Sequence, residues 1–243
     1  MKIRLDKMLS HLGYGSRKEV KNLLKKQELL VNGQRVKDGK ASIETTSDQV
    51  TLAGEVLVYE AFVYYMLHKP KGVISATEDA RERTVIDLLR PEDLRAGIFP
   101  VGRLDKDTTG FLLLTNDGSL AHDLLSPKKK VPKRYLATVD GLVTSKDQAL
   151  FAEGFEIDGQ EWVKPSQLEI LSVDTSRQQS HIALTIVEGK FHQVKRMMKT
   201  VGKTVIELHR ESMGGLTLDQ NLKRGDYRQL TEKELAFLKE KAN

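Results

Sequence analysis

Residues 102–118 read GRLDKDTTGFLLLTNDG. Six charged or hydroxyl side chains (Arg103, Asp105, Lys106, Asp107, Thr108 and Thr109) stand between Gly102 and Gly110, and the apolar run 111–114 follows at once. Four successive large apolar residues predict a buried strand, so the polar cluster hangs on the end of a core element. The flanking glycines let the backbone turn sharply and approach a ligand closely. Asp105, at the centre, is the group able to act as nucleophile, base or ligand. Asp107 is expected on the opposite face if the loop is extended, or beside Asp105 on a metal in a DxD arrangement. Thr108 and Thr109 are expected to hydrogen-bond the turn, and Asp117 to N-cap a helix.

Composition bounds what this loop can serve. The chain has 243 residues, 30% charged and 39% hydrophobic, as ordinary globular proteins do. No apolar run approaches the ~18 residues of a membrane span, so no membrane contact is expected. The first residues, MKIRLDKMLSHLGYG, lack the apolar core of a signal segment. Without a single cysteine there can be no disulfide, thiolate zinc site or cysteine nucleophile, which suits a reducing cytoplasm, the expected location. Net charge is +5, and residues 1–58 hold 11 of the basic and 7 of the acidic residues. A second basic run comprises Lys128, Lys129, Lys130, Lys133 and Arg134. Both point to a polyanionic partner, because each Lys or Arg facing a phosphate releases a condensed counterion.

The N-terminal segment reads as two short helices and a small sheet. Leu5, Met8, Leu9 and Leu12 share one helical face. Ser16-Arg17-Lys18-Glu19 is a capping box opening a second helix with Val20, Leu23 and Leu24 inward and Arg17, Lys18, Lys21 and Lys25 outward. Asn32-Gly33 within LLVNGQRV signals a type I′ hairpin. The stretch RLDKMLSHLGYGSRKEVKNLLKKQELLVNGQRV resembles the αL RNA-binding domain, assigned to residues 1–58, and that resemblance makes the four outward cations RNA-binding candidates. A second domain, residues 62–235, is expected to be α+β, with strands near 62–67, 111–115, 134–139, 181–187 and 205–210. Helices are expected at VIDLL (85–89), SLAHDLL (119–125) and HQVKRMMKTVG (192–202), and another opens at the capping box of Thr231–Glu234.

GRLDKDTTGFLLLTNDG, together with HKPKGVIS (68–75), KRYLATV (133–139), EGKFHQVKRMM (188–198) and ELHRESMGGLTLD (207–219), resembles the pseudouridine synthases, in the branch of ribosomal small-subunit pseudouridine synthase A. The resemblance implies a catalytic domain built on a mixed, mainly antiparallel sheet with flanking helices. It implies isomerisation of a uridine in 16S ribosomal RNA without metal or other cofactor, by a monomer acting on a small-subunit assembly intermediate. It makes Asp105 the catalytic carboxylate, Lys195 the cation set against it and Tyr135 the ring against the uracil. Arg103 would fill the gap left by the extracted nucleotide, and Lys69, Lys71, Lys133, Arg134 and Arg196 would contact phosphates. His68, His122, His192, His209 and Gln193 read as structural, and Trp162 as a packing residue. Two other readings stay open: a non-catalytic RNA- or ribosome-binding protein, and a metal-dependent phosphoesterase using Asp105 and Asp107. A synthase acting on 23S ribosomal RNA is the alternative within the resemblance.

Overall fold

A computed structural model describes residues 2–45 and 47–242. The chain forms two compact units. One takes the chain up to Val63 together with Arg90–Ile98, and the other Tyr64–Leu89 and the chain from Phe99 on. Residues 90–98, read from the sequence as part of the second domain, thus belong to the first unit. This stretch carries a 3-10 turn at Pro91–Asp93 and local pairing of Arg90 with Glu92 and Asp93, and no apolar period in it announces where it packs.

The first unit begins with β1 (Lys2–Arg4), α1 (Leu5–His11) and α2 (Arg17–Lys26). Strands β2 (Leu29–Val31), β3 (Gln34–Arg35), β4 (Ser42–Glu44), β5 (Val50–Leu52) and β6 (Glu55–Leu57) follow. β1 pairs β4, and the order β3-β2-β5-β6 makes the second sheet. The capping box is present: Glu19 accepts from the Ser16 amide at 2.7 Å while Ser16 accepts from the Glu19 amide at 3.4 Å. Leu5, Met8, Leu9, Val20, Leu24, Leu29, Ile43 and Val50 form one core. The amphipathic period of α2 that buries Val20 and Leu24 leaves Arg17, Lys18, Lys21 and Lys25 exposed.

In the second unit β7 (Tyr64–Lys69), β8 (Phe99–Pro100), β9 (Thr109–Thr115), α3 (Gly118–Leu125), β10 (Lys133–Asp140) and α4 (Ser145–Glu153) come first. The hairpin β11 (Phe155–Ile157) and β12 (Glu161–Val163) leads to β13 (Gln167–Asp174), β14 (Gln179–Ile186) and α5 (Gln193–Thr200). β15 (Thr204–Met213), β16 (Leu216–Thr217), β17 (Tyr227–Gln229) and α6 (Glu232–Ala242) complete it. Strand order β13-β14-β10-β15-β9-β7-β17, with β16 on β15 and β8 on β9, gives a nine-stranded sheet among the described residues. β9 and β15 run parallel and their neighbours antiparallel, so the unit is α+β on a mixed, mainly antiparallel sheet.

Every residue of β9 is buried, as its apolar run requires. Phe111 and Leu113 join Tyr64, Met66, Leu120, Leu124 and Leu238 in the core under α3 and α6. Gly110 serves this packing rather than a ligand. A Cβ there would lie 2.2 Å from the Arg210 carbonyl oxygen, so the strands could not keep the pairs Thr109–His209 and Arg210–Gly110. VIDLL forms only a 3-10 turn, Ile86–Leu88. Trp162 does not pack: it is 62% exposed on β12, because strand alternation buries its neighbour Val163 and turns the indole outward.

Candidate active site

The loop before β9 is held from beneath by a buried ammonium. Lys69, at the end of β7, is fully buried and donates to the carbonyls of Asp105 at 3.0 Å, Thr108 at 2.9 Å and Pro70 at 3.0 Å. The Lys106 carbonyl lies at 3.5 Å as a fourth acceptor, so the backbone of the Asp105 turn is fixed by one side chain. Burial pushes the Lys69 pKa down to about 8, although the charges of Asp105 and Asp107 oppose the shift. Lys69 is therefore no phosphate contact. A buried cation wrapped in carbonyls cannot reach RNA.

The Asp105 side chain points out of this turn toward α5. Lys195 lies 2.9 Å from Asp105 Oδ2 and 2.7 Å from Asp107 Oδ1. The two carboxylates thus converge on one ammonium, rather than facing apart as an extended loop would place them. Lys195 also fills the space in which a metal would bridge the pair, which removes the geometric basis of the DxD reading. Burial alone would lower the Lys195 pKa, but hydrogen bonds to Asp107 and Asp105 outweigh it and hold the group above its ordinary value. Asp107 is held below the usual carboxylate range, chiefly by the Lys195 hydrogen bond. The side chains of Asp105 and Lys195 are about a quarter exposed, enough for a substrate to reach them.

Lys195 can reach inward because α5 buries Val194, Met197 and Met198, leaving residue 195 about 100° around the helix at the edge of that stripe. His192, at the start of α5, has its Nε2 3.5 Å from Asp105 Oδ1. It is a site residue, which its structural reading from the sequence missed. Its signal was its place inside the EGKFHQVK motif, three residues before Lys195. Together with Lys71, Gly72, Lys106, Asp107 and Lys195, His192 and Asp105 line an open cleft of about 500 Å³.

The remaining candidates divide. Tyr135 is buried on β10 at the register position opposite Arg210, whose other neighbour is Gly110 at the end of the Asp105 loop. Arg103 is exposed two residues before Asp105. Lys71 is exposed and pairs with the exposed Glu207 at 3.1 Å, an interaction that a phosphate can displace. Lys133 is a correction: it is 6% exposed, donates to the Val131 carbonyl, and burial with the nearby Arg210 charge lowers its pKa to about 8. Arg134 is committed to Glu169 and Glu211, and Arg196 to Asp158 and Glu161. Both guanidiniums are already neutralised within the fold, which the sequence could not show because the acidic partners are distant along the chain.

The threonines also separate. Thr109 Oγ1 lies 2.9 Å from His209 Nδ1, whereas the buried Thr108 hydroxyl has no hydrogen-bond partner among the described residues. Thr108 ties the turn through its backbone instead, its amide donating to the Asp105 carbonyl at 3.1 Å. Burial, followed by the charges of His68 and Arg224, lowers the His209 pKa to about 4, so this imidazole is neutral at physiological pH. Asp117 caps α3 as expected, accepting from the Ser119 and Leu120 amides, and it also accepts from the Tyr64 hydroxyl at 2.8 Å.

Comparison with known proteins places this geometry. Residues 63–200 match the RNA pseudouridylate synthase family, and residues 3–50 match the S4 domain. The chain is 50% identical to an uncharacterized RNA pseudouridine synthase of Bacillus subtilis (strain 168), over 98% of this chain and 99% of that one. It is 40% identical to ribosomal small subunit pseudouridine synthase A of Vibrio cholerae (97% and 99% covered). It is 38% identical to ribosomal large subunit pseudouridine synthase B of Bacillus subtilis (97% and 95% covered). A crystal structure of a pseudouridylate synthase superposes with a TM-score of 0.67 at 36% identity, over 97% of this chain and 99% of that one.

Proposed function

We propose that this chain, which belongs to the RNA pseudouridylate synthase family and carries an S4 domain, isomerises one uridine of 16S ribosomal RNA with Asp105 as the catalytic carboxylate. The observation that carries the reading is the Asp105–Lys195 pair, 2.9 Å apart at the end of a buried strand and open to a cleft. In this reaction the bond between ribose carbon 1′ and uracil nitrogen 1 breaks, the base turns, and carbon 5 joins carbon 1′. Carbon 5 loses a proton and nitrogen 1 gains one, so nothing else is consumed and no cofactor enters. Asp105 attacks carbon 1′ or carbon 6, or promotes loss of the 2′ proton. Lys195, 2.9 Å away, sets a positive charge against it, and Tyr135 lies against the uracil. The nucleotide must leave its helix, because neither ring edge nor carbon 1′ is open to a carboxylate within a stack. Arg103, exposed at the loop, occupies the gap. Arg17, Lys18, Lys21, Lys25 and Lys71 contact phosphates.

Base identity offers little choice among uridines, so the surrounding RNA shape selects the site. A small-subunit assembly intermediate exposes sites that the mature particle buries, and a monomer in the cytoplasm suffices for the reaction. Likeness to small subunit synthase A supports the 16S assignment. The similar identity to large subunit synthase B supports a 23S site as the second reading. Deleting the gene and mapping pseudouridine in both ribosomal RNAs tests them. Loss of one 16S position is expected, loss of a 23S position moves the substrate, and no loss in either removes ribosomal RNA.

A further inference from the structure

Phe191 and His192 form a stacked aromatic pair beside Asp105 for which the reaction has no assigned use. Their ring centroids are 3.8 Å apart at an interplanar angle of 21°. One face of the phenyl ring is thereby covered, yet Phe191 is still 76% exposed, so its other face is open to solvent. The turn that presents it is over-determined. His192 sits in the left-handed region at φ 47°, a conformation a non-glycine residue keeps only when its surroundings impose it. Arg196 Nη1 donates to the Phe191 carbonyl at 3.1 Å, while Arg196 is itself anchored by Asp158 and Glu161. On the other side the buried Gln193 accepts from the Lys190 amide at 2.9 Å and donates to Glu188 at 2.8 Å. A strained, clamped turn thus holds a large apolar ring in water beside the reacting carboxylate.

We infer that the open face of Phe191 is a stacking platform for an unpaired nucleobase next to the target uridine, an inference that rests on RNA being the substrate. The cleft beside it is lined by Lys71 and Lys106, whose exposed ion pairs with Glu207 and Glu82 a phosphate can displace. That charge suits a strand whose phosphates run past the platform, and an aromatic face takes any base because every base has a π-face. Distance decides which base. His192 reaches Asp105 through Nε2 at 3.5 Å and covers one face of Phe191, so a base on the free face lies on the far side of the phenyl ring from His192. Attack requires contact at about 3–3.5 Å, so the stacked base is not the one isomerised. It is a neighbour unstacked when the uridine is extracted, and Phe191 replaces the stacking partner it loses.

The test uses the full chain with 16S and 23S ribosomal RNA transcripts as probes. Phe191→Ala and Phe191→Leu should each raise KM and Kd about tenfold with kcat within about threefold, while Phe191→Trp recovers tight binding. Melting temperatures should be unchanged, because the ring is mostly in water. Leucine separates the ideas: a side chain needed only for bulk would let Phe191→Leu behave as wild type, which overturns stacking. A direct readout comes from Phe191→Trp combined with Trp162→Phe, which places the single tryptophan on the platform. Its fluorescence should be quenched by the transcript, and unchanged emission under saturating RNA overturns the inference. Both binding readouts work without turnover. Quenching with no pseudouridine in either transcript would therefore exclude naked ribosomal RNA as the substrate while leaving the platform standing.

Discussion

The basic face of α2 and the Asp105 loop use charge in opposite ways. On α2, Arg17, Lys18, Lys21 and Lys25 project into solvent with no ion pair among the described residues. Around Asp105 two lysines are held fast: Lys195 bridges two carboxylates, and Lys69 is enclosed by four backbone carbonyls. Exposed cations keep their hydration and remain free to exchange counterions for phosphates. Partly buried ones are held in a single geometry, because leaving them unpaired costs far more away from water. A long-range, forgiving surface suits binding, and a short-range, fixed one suits chemistry.

Substitutions that separate the two regions are ordered by the size of effect expected. Asp105→Asn should lower isomerisation by on the order of a million-fold with the fold and RNA affinity retained, since it keeps the shape and removes the carboxylate. Single-turnover assays check this, and residual activity within tenfold of wild type would move catalysis elsewhere. Lys195→Met should lower kcat by ~10²–10³-fold, the range for removing one preorganised electrostatic group. Lys195→Arg should retain more, and indifference to both changes would reduce Lys195 to a surface lysine.

Lys69→Met leaves these carbonyls without their donor and should lower stability by ~3 kcal/mol, read from denaturant unfolding. The wild-type residue also makes a pH prediction. Folded Lys69 releases its proton near pH 8, while the unfolded chain keeps it to about 10.4. Between those values the unfolded state binds more protons, so this group's contribution to stability rises with pH. Activity should move the other way, because a neutral amine has only two N–H groups to donate to these carbonyls and the Asp105 turn loosens. A pH–rate profile should fall above about 8 without loss of fold, and a flat profile to pH 9.5 would refute the role.

The smallest effect belongs to the surface. Replacing Arg17, Lys18, Lys21 and Lys25 together by alanine should weaken RNA binding and flatten its salt dependence by up to ~3–4 units of slope, with kcat at saturating RNA retained. An unchanged slope would mean that this face does not meet phosphates, and the contrast between the two regions would collapse.

Local signals carried much of this protein. The apolar run of β9, the capping boxes of α2 and α6 and the i, i+3, i+4 faces of α1 and α5 are periodic over a few residues, so they are legible without a fold. The motifs around Asp105 and Lys195 were legible too. Other features were decided across the chain. Lys69, Lys71, Lys133, Arg134 and Arg196 look alike as letters, yet Lys71 remains exposed, Lys69 and Lys133 are buried, and the two arginines are paired with carboxylates. Sequence sets the chemistry a side chain can perform, through its own groups and its nearest neighbours. Burial and partnership depend on contacts tens of positions apart, as Arg134 makes with Glu169 at 35 positions and with Glu211 at 77. Only the tertiary structure could decide which cations are left for RNA, because the dielectric and the counter-charge around each come from residues that the chain alone does not bring together.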